Sequence, residues 1–310
     1  MTRELRVATR RSRLALWQAE HVKARLEALH SDLRVTLVPL STRGDELLDI
    51  SLSKEGGKGL FVKELEAALA DRRADIAVHS MKDMPAELPP GYALAAILAR
   101  EDPRDAFVSL RHENFAVLPA GARVGTSSLR RQAQIAARHP SLEIRPLRGN
   151  VETRIAKLDR GEYAAIVLAA AGLRRLGLEA RIRSYLSIEE SLPAAGQGAL
   201  GIECLAARAD VAGLVGPLRD AVAEACVRAE REVNRALGGS CTIPLGAFAE
   251  IDDAHGGKLR MRALVASPDG KRIARADQEG DAARPEELGL QVAALLREQG
   301  AVEILAALNP

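Results

Sequence analysis

Apolar residues follow two alternating patterns along the first two thirds of the chain. Short continuous runs, typical of buried strands, alternate with segments in which apolar residues recur every three or four positions, typical of amphipathic helices. The first run covers 5–9, and Ser12 is a suitable N-cap for the helix that follows. The apolar face of that helix contains Ala15, Ala19, Val22, Leu26 and Leu29. Strands that alternate with helices of this length predict βαβ units and a mostly parallel sheet.

The same alternation continues as far as residue 170. Further strands are predicted at 35–40, 75–79, 122–125, 142–147 and 164–170. Further helices are predicted at 60–71, 129–138 and 151–160. The segment Val7-Ala8-Thr9-Arg10 is similar to Val124-Gly125-Thr126-Ser127, and both stand at the end of a predicted strand. Two related α/β halves would produce this similarity, and so would chance.

The pattern changes after about residue 216. An amphipathic stretch covers 218–237 and stops at a glycine pair, which is a common helix end. Alternating segments that predict antiparallel strands follow at 245–251 and 258–266, and a last helix is predicted at 285–308. This order of elements predicts a small α+β domain.

The composition excludes several classes of protein. The chain has 310 residues, of which 47% are apolar and 28% charged, which predicts two or three ordered domains. No apolar run approaches the length of about 18 residues needed for a transmembrane helix, and the N-terminus shows no secretory signal. Three cysteines are too few for a disulfide framework, and no C-x-x-C pair suggests zinc. These features favour a cytoplasmic protein with reduced thiols and no membrane contact.

Basic residues are concentrated between 121 and 160, although the whole chain has a net charge of only +2. This stretch contains nine Lys and Arg residues against three acids, and several lie near predicted strand-to-helix turns. Helix N-termini and Arg side chains both bind carboxylates or phosphates. The cluster predicts a site for a multiply charged anion, with a solvated basic face as the alternative. Nucleic acid is disfavoured because the stretch has no aromatic residue for base stacking.

Two further segments carry candidate chemistry. Lys82-Asp83 follows the predicted buried strand at 75–79, and a carboxylate there can stabilise a cation or transfer a proton. An exposed turn residue is the alternative for Asp83, and His79 within the apolar run is expected to be a core histidine. The segment 54–59 is rich in glycine and lysine but lacks the P-loop pattern. It is either a mobile loop over a site or a plain surface loop.

Cys241 lies in a loop between a predicted helix end and a strand, with glycine and proline nearby. Such a thiol is accessible to a ligand, whereas Cys204 and Cys226 fall in a predicted strand and helix, as small core residues do. A lone loop cysteine is also commonly inert. The glycines within 196–201 match G-x-G-x-x-G, but a strand-like segment follows them. A hinge or crossover is therefore favoured there over a dinucleotide site.

The chain also contains a series of ordered motifs. They are Ala8-Thr9-Arg10, Leu14-Ala15-Leu16-Trp17-Gln18, Thr42-Arg43-Gly44-Asp45, Gly57-Lys58-Gly59-Leu60-Phe61, His79-Ser80-Met81-Lys82-Asp83, Glu101-Asp102-Pro103-Arg104-Asp105, Gly125-Thr126-Ser127-Ser128-Leu129-Arg130-Arg131, Leu147-Arg148-Gly149-Asn150, Pro193-Ala194-Ala195-Gly196-Gln197-Gly198, Glu230-Arg231 and Gly239-Ser240-Cys241-Thr242-Ile243-Pro244. Together they are similar to the porphobilinogen deaminase family, whose members are also called hydroxymethylbilane synthases. The resemblance extends from residue 6 to the C-terminal helix, and its many motifs in one order make it specific.

The resemblance implies an α/β fold with three domains. Two α/β domains, similar to the halves of periplasmic binding proteins, would cover 1–98 together with 199–216, and 104–193. A smaller C-terminal α+β domain would cover 220–310 and carry the cofactor cysteine. The active cleft would lie between the first two domains.

The resemblance also implies the reaction. Four porphobilinogen molecules are joined head to tail with loss of ammonia, and water releases the linear tetrapyrrole. A dipyrromethane cofactor, made from substrate and attached to Cys241 by a thioether, primes the chain. Each pyrrole ring carries an acetate and a propionate, so a basic cleft suits the growing polyanion. The family expectation is a monomer that binds the small-molecule substrate porphobilinogen and no nucleic acid or membrane.

Individual residues receive roles from the same resemblance. Asp83 falls on the catalytic aspartate, which holds pyrrole N–H groups, stabilises the cation left by ammonia and assists proton transfer. Lys54 and Lys58 fall on a mobile loop over the cleft, and no metal site is implied. Positions that bind the cofactor are Ser12, Lys82, Asp83, Thr126, Ser127, Ser128, Arg130, Arg131, Arg148, Gly149 and Cys241. Positions that bind substrate are Arg10, Ser12, Arg148, Arg154 and Gln197.

Two positions depart from the commoner family pattern. Arg13 stands where many relatives have proline, and Ser240 stands where many have glycine. Arg13 either adds a cation near Arg10 or changes the helix start, and Ser240 should reduce the flexibility of its loop. A non-catalytic binder of small acids on the same architecture is the alternative function, but a binder needs neither Cys241 nor Asp83.

Overall fold

The structure, a computed structural model, describes residues 3–42, 62–238, 243–252 and 257–308. In chain order the strands are β1 (Arg3–Arg10), β2 (Leu33–Leu40), β3 (Ile76–Ser80), β4 (Tyr92–Ile97), β5 (Asp105–Val108), β6 (Arg123–Gly125), β7 (Glu143–Arg145), β8 (Ala165–Ala169), β9 (Ile182–Tyr185), β10 (Leu200–Leu205), β11 (Leu245–Asp252), β12 (Lys258–Ala266) and β13 (Ile273–Gly280). The helices are α1 (Arg13–Leu29), α2 (Lys63–Ala70), α3 (Leu129–Arg138), α4 (Val151–Asp159), α5 (Ala170–Arg175), α6 (Ala209–Val215), α7 (Ala221–Ala236), α8 (Pro285–Glu298) and α9 (Ala301–Ala306).

The first sheet has the strand order β2-β1-β3-β10-β4. Strand β1 is parallel to β2 and β3, whereas β10 is antiparallel to both β3 and β4. The sheet is therefore mixed, and the expectation of a mostly parallel sheet is wrong at β10. The physical reason is that β10 arrives from a distant part of the chain, so no βαβ crossover sets its direction.

The second sheet repeats the plan of the first, with the order β7-β6-β8-β5-β9. Strand β6 is parallel to β7 and β8, and β5 is antiparallel to β8 and β9. This shared plan confirms the two related α/β halves. The chain passes between the sheets twice, from β4 to β5 and from β9 to β10. Each sheet therefore holds one antiparallel inner strand that lies close to a crossing point.

A three-stranded antiparallel sheet, in the order β11-β12-β13, forms the last part of the chain. Helices α7 and α8 pack against it, and Val233, Met261 and Val292 are fully buried between them. The α+β arrangement expected for this part is confirmed. The single helix predicted at 285–308 is wrong, because Gly300 adopts a φ of 85° and separates α8 from α9.

The C-terminal sheet packs directly on helix α3 of the second sheet. Phe248 and Leu264 share a buried apolar cluster with Ala133 and Leu192. This contact attaches the domain that carries Cys241 to the helix that begins beside the basic cluster. Over the described ranges, no helix is long and apolar enough to cross a membrane.

Candidate active site

The ends of β1 and β3 meet at one cavity on the edge of the first sheet. Arg10 ends β1, and Ser80 ends β3. Arg10, Ser12, Gln18, Ser80 and Asp83 all line the cavity. Open α/β sheets bind ligands outside the carboxyl ends of their strands, so this is the expected place for a site.

Helix α1 starts at this cavity. The hydroxyl oxygen of Ser12 accepts a hydrogen bond from the backbone N–H of Ala15 at 3.3 Å, which confirms Ser12 as the N-cap. Arg13 is the first helical residue, and its guanidinium lies 3.6 Å from the carboxylate of Glu152 on α4. Arg13 is thus directed toward the second sheet, and its charge is partly neutralised there.

Lys82 and Asp83 lie on a single turn of 3₁₀-helix immediately after β3. The Asp83 side chain is exposed, and within the described ranges no hydrogen bond to its carboxylate is formed. The Lys82 ammonium has no hydrogen-bond partner in those ranges either. Burial lowers the pKa of Lys82 to about 8, and the neighbouring Arg131 adds to the effect, while Asp83 opposes it. A partly desolvated ammonium without a partner is suited to receive a carboxylate.

The corresponding turn of the second sheet presents three hydroxyl groups. Thr126 is buried and its side-chain oxygen accepts from the backbone N–H of Ser128 at 3.2 Å. Ser127 is exposed and donates to the carbonyl of Leu147 at 2.8 Å. Ser128 is the N-cap of α3, so the positive end of the helix dipole lies at this turn. The turn therefore combines hydroxyl groups with helix N–H groups, as an anion site requires.

Arg130 and Arg131, which follow this turn, are both buried against the carboxylate of Asp105. The distances are 2.8 Å from Arg130 Nη1 and 2.7 Å from Arg131 Nη2. Ser191 Oγ and Gln197 Nε2 donate to the same carboxylate at 2.7 and 3.0 Å. The pKa of Asp105 is far below its ordinary value because the two guanidinium groups outweigh the effect of burial. Some of the guanidinium N–H groups of both arginines thus donate to Asp105 and are not available to a ligand.

Arg154 lies on α4, beside the second sheet, and its guanidinium is close enough to Asp83 for the two charges to interact. Its Nε donates to the carbonyl of Gly149 at 2.8 Å. Burial and the neighbouring Arg131 lower the pKa of Arg154 to about 10, and the charge of Asp83 opposes this shift. Gly149 has a φ of 108°, and a Cβ there would lie 2.6 Å from Thr153. Glycine is therefore required for the turn that holds the arginine.

The remaining candidate residues separate into three groups. Arg148 is half-buried next to Gly149, and its carbonyl accepts from Lys157 at 3.3 Å. Gln197 is fully buried in the cluster around Asp105, so its amide supports the arginines from inside the protein. Lys54, Lys58 and Cys241 lie outside the described residues.

The structure adds two charged residues to which the sequence patterns assigned no role. One is Asp105, whose position at the start of β5 gave no sign of its two arginine partners. The other is Arg175, which donates to the carbonyl of Gly198 at 2.6 Å and lies 5.8 Å from the ring centre of Trp17. Burial lowers the pKa of Arg175 to about 10. Its place shortly after the buried strand β8 could have identified it by the strand-end argument used for Lys82.

Comparison with known proteins identifies the family. Residues 5–213 match the family described as "Porphobilinogen deaminase, dipyromethane cofactor binding domain". Residues 224–298 match "Porphobilinogen deaminase, C-terminal domain". The porphobilinogen deaminase of Thiobacillus denitrificans is 59% identical over 304 residues, which is 98% of each chain. That of Paraburkholderia phytofirmans is 58% identical over 98% of this chain and 89% of its own.

Solved structures of solute-binding proteins are more distant. The methionine-binding protein MetQ is 13% identical and covers 69% of this chain and 89% of its own, with a TM-score of 0.44. A nutrient-binding protein from Burkholderia cenocepacia is 14% identical over 68% of this chain and 90% of its own, also with a TM-score of 0.44. A likeness of this size adds nothing to the assignment, which depends on the full-length relatives. On their strength, this chain belongs to the porphobilinogen deaminase family.

Proposed function

We propose that Asp83 is the catalytic group of the porphobilinogen deaminase reaction in this chain. Family membership makes the chain a transferase of tetrapyrrole biosynthesis with a dipyrromethane cofactor. The observation that carries the proposal is the exposed Asp83 carboxylate beside two cations, Lys82 and Arg154. Its oxygens have no hydrogen-bond partner in the described ranges, so they can accept N–H groups of an incoming pyrrole.

The described residues fit a cofactor that carries several carboxylates. The unpartnered ammonium of Lys82 and the half-buried Arg154 lie close to Asp83. The helix N-terminus at Ser128 and the half-buried Arg148 add positive charge on the second sheet. An ion pair at 4 Å contributes roughly 4 kcal/mol of raw Coulomb energy near a protein surface, before the cost of desolvation. When attached to Cys241, the cofactor would supply the terminal pyrrole carbon to which the first ring is joined, and each later ring would be joined to the one before it.

In the proposed mechanism Asp83 acts on the substrate. Its carboxylate accepts the pyrrole N–H, and its negative charge stabilises the cation left when ammonia departs from porphobilinogen. It then accepts the proton released when the new carbon–carbon bond forms. Arg10, Ser12, Arg148, Arg154 and Gln197 are proposed to hold substrate carboxylates or the turns that bind them. After four additions, water releases the linear product.

We also propose the arrangement of the whole chain. The domains would comprise 1–98 with 199–216, 104–193, and 220–310, and the protein would be a cytoplasmic monomer that acts on porphobilinogen. In support, the strands of the first sheet come from both parts of the first range, and the described cysteines, Cys204 and Cys226, are free thiols.

Intact mass followed by peptide mapping tests the proposed function. We expect a mass excess of two pyrrole units on the Cys241 peptide, absent from Cys241→Ser. Cys204→Ala, which changes a buried thiol in β10, is the matched control and should keep the adduct. An unmodified Cys241 after incubation with porphobilinogen, or the adduct on Cys204 or Cys226, would contradict the proposal.

A further inference from the structure

His79 and Glu203 form a buried hydrogen-bonded pair close to the turn that carries Asp83. Nε2 of His79 on β3 is 2.8 Å from Oε2 of Glu203 on β10, and the two side chains are 5% and 0% exposed. The strands are antiparallel, with Gly201 opposite His79 and Glu203 opposite Ala77. The hydrogen bond therefore connects the two strands diagonally, next to the point where β3 ends.

We do not expect the hydrogen bond between His79 and Glu203 to stabilise the fold. Leu65 and Leu69 of α2 are fully buried on this face of the sheet, and Glu66 of the same helix places a further acid near the pair. The second carboxylate oxygen of Glu203, Oε1, is buried and has no hydrogen-bond partner among the described residues. A buried polar pair with an unsatisfied oxygen is commonly less stable than apolar side chains of the same size. A role other than stability is therefore needed to account for it.

The position of Asp83 depends on the backbone between these two strands. No side-chain hydrogen bond holds its carboxylate within the described ranges. The turn is attached instead through Met81, whose N–H donates to the carbonyl of Ala199 at 3.0 Å just before β10. A Cβ at Gly196 would lie 2.6 Å from Cβ of Met81, so the two segments are in close contact. Any shift of β3 along β10 would move Asp83.

We propose that His79 and Glu203 are positioning residues for Asp83: their hydrogen bond holds the end of β3 against β10, so that the exposed carboxylate keeps one place in the cleft. The inference rests on the proposed role of Asp83. His79 lines the same cavity as Asp83, but it acts through the strand and not on the substrate. A displacement of about 1 Å in a reacting group lowers the rate by as much as about 100-fold.

The test compares the two ends of β3. His79→Gln, Glu203→Gln and the double variant weaken or replace the pair at the end next to Asp83. Asp75→Asn removes the ion pairs that Asp75 forms with Arg6 at 3.0 Å and with Arg208 at 3.3 Å, just before the other end of β3. The steady-state constants for porphobilinogen, the unfolding midpoint and the intact mass are measured for each purified holoenzyme.

We expect each single Gln variant to lower kcat about 10- to 100-fold with KM within about twofold, because the chemical step and not binding is misaligned. The double variant should lose no more than either single variant, because both remove one interaction. Asp75→Asn should lower the unfolding midpoint but keep kcat. Equal loss of kcat in Asp75→Asn, or unchanged kcat in the Gln variants, overturns the inference.

Asp83→Asn, measured beside them, separates this inference from the proposed function. If it is inactive while the Gln variants keep full kcat, the positioning role is wrong and the role of Asp83 stands. If Asp83→Asn is active, the role of Asp83 fails and the positioning role falls with it. Should one Gln variant not fold, the other is compared with Asp75→Asn in the same way.

Discussion

Arg131 and Asp105 form a buried ion pair in which Nη2 and Nε of the arginine lie 2.7 and 3.0 Å from the same carboxylate oxygen. The other oxygen of Asp105 accepts from Arg130 at 2.8 Å and from Ser191 at 2.7 Å. Through these bonds Asp105 links the start of β5 to the first turn of α3 and to the segment between β9 and β10. Arg130 and Arg131, at the start of α3, thus owe their place to this buried acid.

Asp105→Asn should therefore lower the free energy of unfolding by about 3–5 kcal/mol, because it leaves two buried guanidinium groups with a neutral partner. The two arginines hold the pKa of Asp105 well below its ordinary value. The stabilisation is then fully present above about pH 4 and is lost only as the pH falls further. Urea unfolding at several pH values should show a constant difference from the wild type between pH 5 and 7. A difference that shrinks over this range would contradict the assignment.

Asp32→Asn is the matched control for Asp105→Asn. Asp32 pairs with Arg3 at 2.7 Å, but both side chains are about half exposed. Solvent screens such a pair, so the unfolding midpoint should stay within experimental error of the wild type.

Asp83→Asn should lower kcat at least about 100-fold, because the amide can neither accept a proton nor stabilise a cation. The exposed side chain contributes little to packing, so the unfolding midpoint and the adduct mass should be unchanged. Glu87→Gln removes a nearby carboxylate whose side chain is 72% exposed, and it should keep full activity. A variant Asp83→Asn with near-normal kcat would exclude Asp83 as the catalytic group.

Lys82→Met should change the pH dependence of stability in protein that lacks the primer, such as Cys241→Ala. Burial lowers the pKa of Lys82 to about 8, whereas the unfolded chain keeps this proton to higher pH. The unfolded state thus binds more protons between about pH 8 and 10, and the free energy of unfolding rises with pH over that range. At about 1.4 kcal/mol per pKa unit the rise is about 1–3 kcal/mol, allowing for partial exposure.

Urea unfolding at pH 7.5, 8.5 and 9.5 measures this rise. The quantity compared is the difference in unfolding free energy between the parent protein and Lys82→Met. The Met variant should lack the rise. Lys271→Met, which changes an exposed lysine in the turn between β12 and β13, should keep it. A parent-to-variant difference that is the same at all three pH values would refute the shifted pKa.

Gly270→Ala should weaken the contact between the C-terminal sheet and α3. Gly270 has a φ of 71°, and a Cβ there would lie 2.4 Å from the backbone nitrogen of Ala137 and 2.7 Å from the carbonyl oxygen of Ala133. Gly257 has nearly the same φ, 72°, but a Cβ there would meet nothing within 4 Å. Gly257→Ala should thus cost about 1 kcal/mol for its backbone alone, and Gly270→Ala a further 1–3 kcal/mol or so for the clash. Equal unfolding midpoints for the two variants would show that a Cβ at residue 270 does not clash with α3.

Local features of the chain were predictable because they arise from contacts between residues a few positions apart. The spacing of Val22 and Leu26 predicted α1, Ser12 predicted its start, and His79 was expected in the core, where it is buried against Glu203. The basic cluster and the Lys82-Asp83 pair were placed at strand ends for the same reason. The family motifs then assigned the chemistry.

Partners far apart in the chain could not be predicted from these patterns. Asp105 meets Arg130 and Arg131 across 25 and 26 positions, and His79 meets Glu203 across 124. These contacts depend on the direction in which β5 and β10 enter their sheets, which no local periodicity specifies, because a strand has the same alternation in either direction. The sequence therefore identifies the charged groups of the site, whereas the order of the strands establishes which of them are neutralised inside the protein and which face the cleft.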